Sequence, residues 1–225
     1  MRKTALLVLF GLTAFIAYAG DVASFVNLGF SADGRMFAFG QYGVSDGTYV
    51  SYADVYCVDV AKNEFVKGGK ASSSASDAAG KDGKQTLDSV IKKAAPALVK
   101  ASVDPSLVGR AIYVQADDSV PVKDIAFRDF ETGRDYSVAL KSLSEGSGES
   151  VRSSFYLVVS IKDSSGNETR KTVGLPGYKR PGVKDYQIRR IIADGSGSSV
   201  VFVIEKEVAD KRGNSVRFMV ETLRL

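Results

Sequence analysis

The chain has 225 residues, of which 44% are hydrophobic and 25% are charged, and its formal net charge at neutral pH is +4. It contains no histidine and a single cysteine, Cys57. These counts exclude Ser-His-Asp and Cys-His catalysis, histidine-based metal sites and cysteine clusters. A nucleic-acid-binding protein concentrates its basic residues on one face. Acidic and basic residues are interspersed along this chain, so we expect no nucleic-acid partner.

The N-terminal segment has the three parts of a secretory signal peptide. The basic start MRK precedes an apolar run from Ala5 to Ala17, and Ala17-Tyr18-Ala19 provides an A-x-A cleavage site. The apolar run is shorter than the roughly 20 residues that a membrane-spanning helix needs. We therefore predict a signal peptide over residues 1–19 and a mature protein with no membrane span, exported to the periplasm or secreted.

Residues 20–225 have the sequence pattern of antiparallel strands joined by tight turns, because short or alternating apolar runs are bounded by Gly, Asp, Asn and Ser. The stretch "FSADGRMFAF" is typical: one run ends at Phe30, the next begins at Met36, and the Asp-Gly pair between them predicts a hairpin turn. We predict a single, mainly β domain of antiparallel β-meanders, arranged either as a sandwich or as an incomplete or small propeller. The predicted strands are Phe25–Phe30, Met36–Tyr42, Tyr52–Val60, Ala111–Gln115, Lys123–Phe130, Asp135–Leu143, Ser154–Lys162, Glu168–Val173, Tyr186–Ile192, Val200–Glu207 and Val216–Leu223.

Two segments depart from the strand pattern. Residues 68–84 are rich in Gly, Ser, Ala and Lys and contain no large apolar residue, which predicts a flexible loop. Residues 86–101 place apolar side chains at helical spacing and predict one inserted amphipathic helix, with Thr86 as its N-cap. Pro96 is expected to kink or split this helix, because proline lacks the backbone N–H of the helical ladder.

The Asp-Gly stretch and its surroundings resemble the blade motif of TolB-type β-propellers. A looser copy, "IIADG" followed by "VVFVI", lies near the C-terminus, which suggests a repeated β-meander unit. Ala32 stands where the blade motif has proline. The residues that match the motif are Phe30, Ser31, Asp33, Gly34, Val55, Tyr56, Val58 and Asp59.

Over most of its length the chain resembles a family of predicted secreted bacterial proteins described as a domain of unknown function. The resemblance is carried by "FVNLGFSADGRMFAFGQYG", "IAFRDFETGRDYSVAL", "YQIRRIIADGSGSSVVFVIEKE" and "VRFMVET". It implies export and a β-rich fold, and it implies no particular activity.

Carboxylates are the remaining candidates for catalysis, because a glycosidase needs only two acids across a cleft. Asp33 and Asp194 occupy matching positions before glycine, although aspartate at that position is also typical of a tight turn. Glu205, Glu207 and Glu221 are expected to form cross-strand pairs with basic neighbours on solvated faces. We therefore predict no catalytic residue from the sequence.

Two further residue patterns were considered for metal and redox chemistry. Asp163, Ser165 and Asn167 alternate as calcium ligands do, but the glycine and the final glutamate of an EF-hand loop are missing, which favours a hairpin turn and no metal. Cys57 lies within a predicted strand and is expected to be a small buried thiol. An intermolecular disulfide is the alternative for this cysteine.

Five residues form a candidate binding surface. Tyrosines cluster near the first meander at Tyr42, Tyr49, Tyr52 and Tyr56, and tyrosine rings are common in recognition surfaces. The first three of them belong to the candidate surface. Residues 175–190 alternate basic side chains with tyrosines, which is typical either of a linker entering a strand with a basic solvent face or of an anion-binding patch. Lys179 and Arg180 complete the candidate surface from this segment.

The sequence thus favours a non-catalytic, exported binding or interaction module of the cell envelope. Its expected partner is an unidentified protein or envelope component, and no cofactor is expected. The alternative is a carboxylate-dependent hydrolase acting on a glycan or envelope polymer. A purely structural subunit is a third hypothesis, and it would be marked by a large exposed apolar patch.

Overall fold

The structure is a computed structural model that describes residues 20–116, 120–210 and 213–225. The predicted signal peptide, residues 1–19, lies outside the described residues. Within these ranges no helix is long and apolar enough to cross a membrane. The elements in chain order are β1 Ser24–Ser31, β2 Met36–Val44, β3 Ser51–Asp59, β4 Glu64–Ser72, α1 Ala75–Ala78, α2 Gly83–Lys100, β5 Val103–Asp104, β6 Arg110–Val114, β7 Asp124–Asp129, β8 Arg134–Glu145, a 3-10 helix Gly148–Ser150, β9 Arg152–Lys162, β10 Glu168–Gly174, β11 Arg180–Pro181, β12 Val183–Ala193, β13 Ser199–Asp210 and β14 Gly213–Arg224.

The strands form three antiparallel sheets. The first sheet has the order β4-β3-β2-β1-β5, and the central sheet has the order β14-β13-β12-β6. The outer sheet has the order β10-β9-β8-β7, and the short strand β11 pairs with β9 beside it. Most neighbours in these sheets are also neighbours in sequence, as expected for meanders joined by tight turns. Each of the predicted strands overlaps one of these elements.

The three sheets pack face to face, and β13 lies at the centre of the stack. Phe202 and Ile204 pack into a core shared with the outer sheet. Val201 and Val203 point the other way, into a core shared with the first sheet. Because both faces of β13 are buried from Val200 to Ile204, this half of the strand is a continuous apolar run rather than an alternating one. The mainly β prediction and its sandwich-like version are confirmed, whereas the propeller-blade resemblance is not.

Helix α2 covers the outward face of the first sheet. Leu87, Val90 and Ala94 form one stripe of the helix and pack against Ala53 and Val55 of β3. This stripe follows the 3.6-residue helical period, so the apolar spacing in the sequence identified the face that is buried. The chain therefore forms four layers: α2, the first sheet, the central sheet and the outer sheet.

The start of α2 lies upstream of the predicted position. Asp82 is the N-cap, and its side chain accepts a hydrogen bond from the Gln85 backbone N–H at 2.8 Å. Thr86 is instead fully buried, with its hydroxyl oxygen 2.7 Å from that of Ser51. The helix is not split at Pro96 and continues to Lys100. The prediction of Thr86 as the cap was wrong because Asp82 and Gln85 form a capping box one turn earlier.

The predicted flexible loop at 68–84 was also wrong, because regular secondary structure occupies much of it. Strand β4 extends to Ser72 through pairing with β3, and α1 follows with Ser74 as its N-cap. Ser74 and Asp77 form a second capping box. Backbone pairing and side-chain caps need no large apolar residues, so composition alone underestimated the order of this segment.

Cys57 is a free thiol that is fully buried in β3. Burial raises the pKa of the Cys57 thiol to about 11, so the thiol is protonated at neutral pH. This agrees with the expected role of a small buried side chain.

Candidate functional site

A cleft runs along the free edge of the central sheet, beside β14. It consists of two adjoining cavities of about 280 and 370 Å³, which share Phe65, Tyr178, Arg180 and Met219. The first sheet supplies one wall, and the segment between β10 and β12 supplies the other. We refer to it as the Arg180 cleft, and its remaining lining residues are Phe39, Tyr56, Val58, Asn63, Glu64, Lys70, Leu175, Pro181, Val183, Lys206, Phe218, Val220 and Glu221.

The floor of the Arg180 cleft is a strand edge that side-chain amides already occupy in part. The backbone N–H of Phe218 donates to the Gln41 side-chain oxygen at 2.8 Å. Four residues further on, the backbone N–H of Thr222 donates to the Asn63 side-chain oxygen, also at 2.8 Å. These amides replace the hydrogen bonds of a neighbouring strand, and they leave only the stretch around Val220 between them. An added peptide strand therefore has little room here, and recognition must use the side chains of the cleft.

The first-sheet wall is a ladder of aromatic rings. The Phe39 and Tyr56 rings stack with centroids 4.9 Å apart, and the Phe65 ring follows at 5.4 Å from Tyr56. Phe65 is 44% exposed, so the outer end of the ladder is open to solvent. The Lys70 ammonium lies 3.9 Å from the centroid of the Phe65 ring. The wall is thus an apolar surface whose outermost ring, Phe65, is partly covered by a cation.

Arg180 brings a guanidinium with unused hydrogen-bonding capacity into this cleft. Its Nη1 atom is buried and has no hydrogen-bond partner among the described residues. Its Nη2 atom lies 3.8 Å from a carboxylate oxygen of Glu221, too far for a hydrogen bond. The guanidinium carbon lies 5.0 Å from the Phe155 ring centroid and 5.1 Å from that of Tyr178. A guanidinium held by rings keeps its N–H donors for an anionic oxygen.

Glu221 is the buried carboxyl of the cleft. It is only 4% exposed, and it accepts a hydrogen bond from the Asn63 side-chain amide. Burial raises the pKa of Glu221, while the Asn63 hydrogen bond and the Arg180 charge partly oppose that rise. Gly174 faces the carboxyl with a φ of +97°, and a Cβ there would lie 3.2 Å from the carboxyl carbon. A glycine is therefore required at this position for both its backbone conformation and its size.

The expectation of a solvated face was wrong for Glu221, and also for Glu205, whose side chain is largely buried. In β14 the Glu221 side chain lies on the same face as Met219 and Leu223, two residues away on either side, and its cross-strand neighbour is the core residue Phe202. The alternation of side chains along β14 could therefore have predicted the burial of Glu221, since it places this carboxylate on an apolar face of the strand. Glu205 does pair with a basic neighbour, Arg189, at 3.0 Å.

Lys206 adds a second cation to the larger cavity. It is half-buried, and no hydrogen bond or ion pair joins its ammonium to the described residues. Burial lowers the pKa of Lys206, and the positive charge of Arg180 lowers it further. Two cations thus share one partly desolvated space, which is an electrostatic cost that an incoming anion would relieve.

The structure brings Tyr56 of the tyrosine cluster into this cleft, but not the three tyrosines of the candidate surface. Tyr42 packs against α2, and Tyr49 is exposed in the turn between β2 and β3. The Tyr52 hydroxyl donates to Asp21 at 2.9 Å, and the Arg217 guanidinium lies over its ring at 4.2 Å. Among the described residues of the candidate surface, these three line neither cavity.

The basic segment 175–190 separates into individual contacts rather than one patch. The Lys179 ammonium pairs with Glu145 at 2.6 Å on the surface of the outer sheet. Arg180, the next residue, turns into the cleft. Arg189 pairs with Glu205 on the central sheet. Of the five residues of the candidate surface, Arg180 alone lines the Arg180 cleft within the described part of the chain.

The matched aspartates Asp33 and Asp194 serve the two Asp-Gly turns. Asp33 accepts a hydrogen bond from the Ser31 hydroxyl at 2.6 Å, which is the main reason that its pKa is lowered. Asp194 accepts from the Ser199 backbone N–H at 2.7 Å. The turns touch each other, because the Ser199 hydroxyl donates to the Gly34 carbonyl at 2.7 Å. These hydrogen bonds indicate that both carboxylates stabilise their turns.

The Asp163 segment forms the hairpin turn between β9 and β10. The Asp163 carboxylate accepts from the backbone N–H groups of Ser165 and Asn167, each at 2.9 Å. Within the described ranges no group of three or more acidic or cysteine side chains is placed to hold a metal ion. The carboxylate oxygens at this turn bind the chain itself.

Comparison with known proteins places the chain in a family. The family described as "Predicted secreted protein (DUF2259)" matches residues 38–224, and the chain belongs to it. No curated protein and no solved structure matches the chain. The family description agrees with the predicted export of the chain and says nothing about a ligand.

Proposed function

We propose that this member of the predicted secreted family is a non-catalytic binding protein whose site is the Arg180 cleft. The observation that carries the proposal is the Arg180 guanidinium, which lies among aromatic rings with a buried N–H group that has no described partner. A buried donor without a partner is costly in a folded protein. Such a donor in a cleft of ligand size is therefore best explained by a bound molecule that accepts its hydrogen bonds.

The location of the protein is part of this proposal. The leader at residues 1–19 and the family description both support export. The ligand is then a component of the periplasm or the cell envelope, or a molecule in the medium. A partner protein remains compatible with the site, because a side chain of such a protein can enter a cleft of this volume.

The first experiment is a thermal-shift scan of the exported protein, purified after signal cleavage. The panel contains glycans, peptidoglycan fragments, nucleotides and other organic anions. A ligand at 100 times its dissociation constant adds about 2.7 kcal/mol to the free energy of unfolding. At roughly 2–4 °C per kcal/mol for a domain of this size, the melting midpoint should rise by several degrees.

A matched pair of variants assigns any shift to the cleft. Arg180→Gln and Lys179→Gln remove the same charge from adjacent positions, but only Arg180 lines the cleft. We expect the ligand-induced shift to disappear in Arg180→Gln and to persist in Lys179→Gln. A shift that survives in both variants places the ligand elsewhere, and a panel without any shift on a cooperatively melting protein contradicts a small-molecule site.

A carboxylate-dependent hydrolase is the second candidate function, and one observation favours it. Glu221, whose pKa is raised by burial, lines the same cavity as Glu64. A carboxyl group with a raised pKa and a second carboxylate across a cleft is the arrangement of glycosidases. The test is the release of reducing ends from peptidoglycan and other glycans. Hydrolysis that is present in the wild-type protein and lost in Glu221→Gln would favour the enzyme over the binding protein.

A further inference from the structure

We propose that the ligand of the Arg180 cleft carries an anionic group on a flat ring, with the anion between Arg180 and Lys206 and the ring on the aromatic wall beside Phe65. This inference rests on the proposed binding function and names the chemical class of the ligand. Carboxylate and phosphate share the required chemistry, because each presents anionic oxygens to a guanidinium fork.

The charges of the larger cavity support the first part of the inference, an anionic group in the ligand. Arg180 and Lys206 both line it, and Lys70 stands at its rim, whereas the described residues that line this cavity include no carboxylate. Glu221 lines only the adjoining cavity, where it lies 3.8 Å from Arg180. Glu221 and Asp54 therefore offset these charges only from outside the larger cavity, and neither accepts a hydrogen bond from Arg180 or Lys206. An anion would accept hydrogen bonds from Arg180 and offset the repulsion between the two cations.

The aromatic walls of the cavity support the second part of the inference, a flat ring in the ligand. The Phe65 ring is the open end of the stacked ladder and is 44% exposed. Tyr178, which is 57% exposed, reaches the same cavity from the opposite wall. Although the Lys70 ammonium lies over the Phe65 ring, both rings keep exposed apolar surface in a space of about 370 Å³. Aromatic side chains pack best against flat partners in offset stacks, so a planar ring between Phe65 and Tyr178 fits this space.

The test uses three probes that share one ring system. They are 1-naphthyl phosphate, 1-naphthoate and the neutral 1-naphthylmethanol, and their binding to the exported, signal-cleaved protein is measured by titration calorimetry. A hydrogen-bonded charge pair contributes about 1.5–3 kcal/mol, which corresponds to a roughly 10- to 100-fold change in affinity. We expect at least one anionic probe to bind about tenfold or more tightly than the alcohol. The stronger of the two anions identifies phosphate or carboxylate as the preferred group.

The variants tie this preference to the two cations. Arg180→Gln and Lys206→Met should each weaken the anionic probe by about tenfold and leave the affinity for the alcohol unchanged. Lys179→Gln, the surface control, should bind like the wild-type protein. Arg180→Lys keeps the charge but loses the planar fork, so its affinity for the anion should fall between those of Arg180→Gln and the wild type. Circular dichroism melting establishes whether each variant is folded. If Arg180→Gln does not fold, the loss of affinity for the anionic probe in Lys206→Met still tests the inference.

Two outcomes would overturn the inference while the binding function stands. The first is equal affinity of the protein for the alcohol and the anions. The second is that none of the naphthyl anions binds, while a neutral ligand gives an Arg180-dependent shift of the melting midpoint in the thermal scan. If no probe binds and the thermal scan shows no shift, the proposed function itself fails. Calorimetry with the matched probes and the broad scan therefore separate the two failures.

Discussion

Replacing Gly34 with alanine tests how tightly the two Asp-Gly turns are packed against each other. Gly34 has a φ of +68°, and an added Cβ would lie 2.5 Å from a carboxylate oxygen of Asp194. The left-handed backbone conformation costs an L-residue about 1–2 kcal/mol. The carboxylate has little freedom to move away, because it accepts hydrogen bonds from the Ser196 hydroxyl at 2.6 Å and from the Ser199 backbone at 2.7 Å.

Breaking one hydrogen bond to a charged group costs about 1.5–3 kcal/mol. Adding the two costs, we expect Gly34→Ala to lower the free energy of unfolding by about 2.5–5 kcal/mol. In a domain of this size that loss lowers the melting midpoint by roughly 10 °C. The assay is thermal unfolding followed by circular dichroism, with urea denaturation as a second measurement.

Two other glycines separate the contributions. Gly68 has a φ of +73° and open space around it, so Gly68→Ala should cost only about 1–2 kcal/mol. Gly195, which follows Asp194, has neither a positive φ nor an atom near an added Cβ, so Gly195→Ala should be close to neutral. If Gly34→Ala costs no more than Gly68→Ala, the contact between the turns contributes nothing and the reasoning is refuted.

Three further predictions follow from buried groups. Burial raises the pKa of Glu221 above its ordinary value of 4.5, so the charged form is disfavoured in the folded protein. The urea midpoint of the wild type should therefore fall relative to that of Glu221→Gln as pH rises from about 4 to 7, and parallel pH curves would contradict this. Cys57, with a pKa of about 11 and no exposed surface, should react with a thiol reagent only in urea, and rapid reaction of the native protein would show that β3 is accessible. Leu87→Ala, at a residue 3% exposed, should cost about 3 kcal/mol by urea denaturation, whereas Val99→Ala, at a residue 76% exposed on the same helix, should change stability by less than about 0.5 kcal/mol. Similar losses in the two variants would mean that α2 does not depend on its packed stripe.

The strands and the local turns were accessible to sequence reasoning. Each strand that was predicted from alternation and short apolar runs overlaps a strand of the structure. The prediction works because side chains of a strand point to opposite faces with a period of two residues. The Asp-Gly pair correctly predicted the hairpin in which Phe30 lies opposite Phe37. At the second copy the positive φ falls on Gly197 rather than Gly195, since Asp194 and the following serines hold a longer turn.

Segments stabilised by backbone pairing and capping were harder to predict. The 68–84 region has no large apolar side chains, yet pairing of β4 with β3 and the Ser74 cap order part of it. The N-terminus of α2 was placed at Thr86 because threonine is a good cap, whereas Asp82 and Gln85 form a complete capping box one turn earlier. Composition reports how much apolar surface a segment can bury and does not report which hydrogen bonds its backbone finds.

The sequence by itself determined the antiparallel strands and the amphipathic helix, because each depends on residues close together in the chain. Only the tertiary structure decided the order of the layers and the position of the Arg180 cleft. Arg180, Lys206, Phe65 and Glu221 come from separate strands of three sheets, and their meeting depends on how those sheets stack. The adjacent residues Lys179 and Arg180 show the limit most directly: one pairs on the surface and the other enters the cleft, because neighbouring residues of an extended chain point in opposite directions and only packing decides which direction is inward.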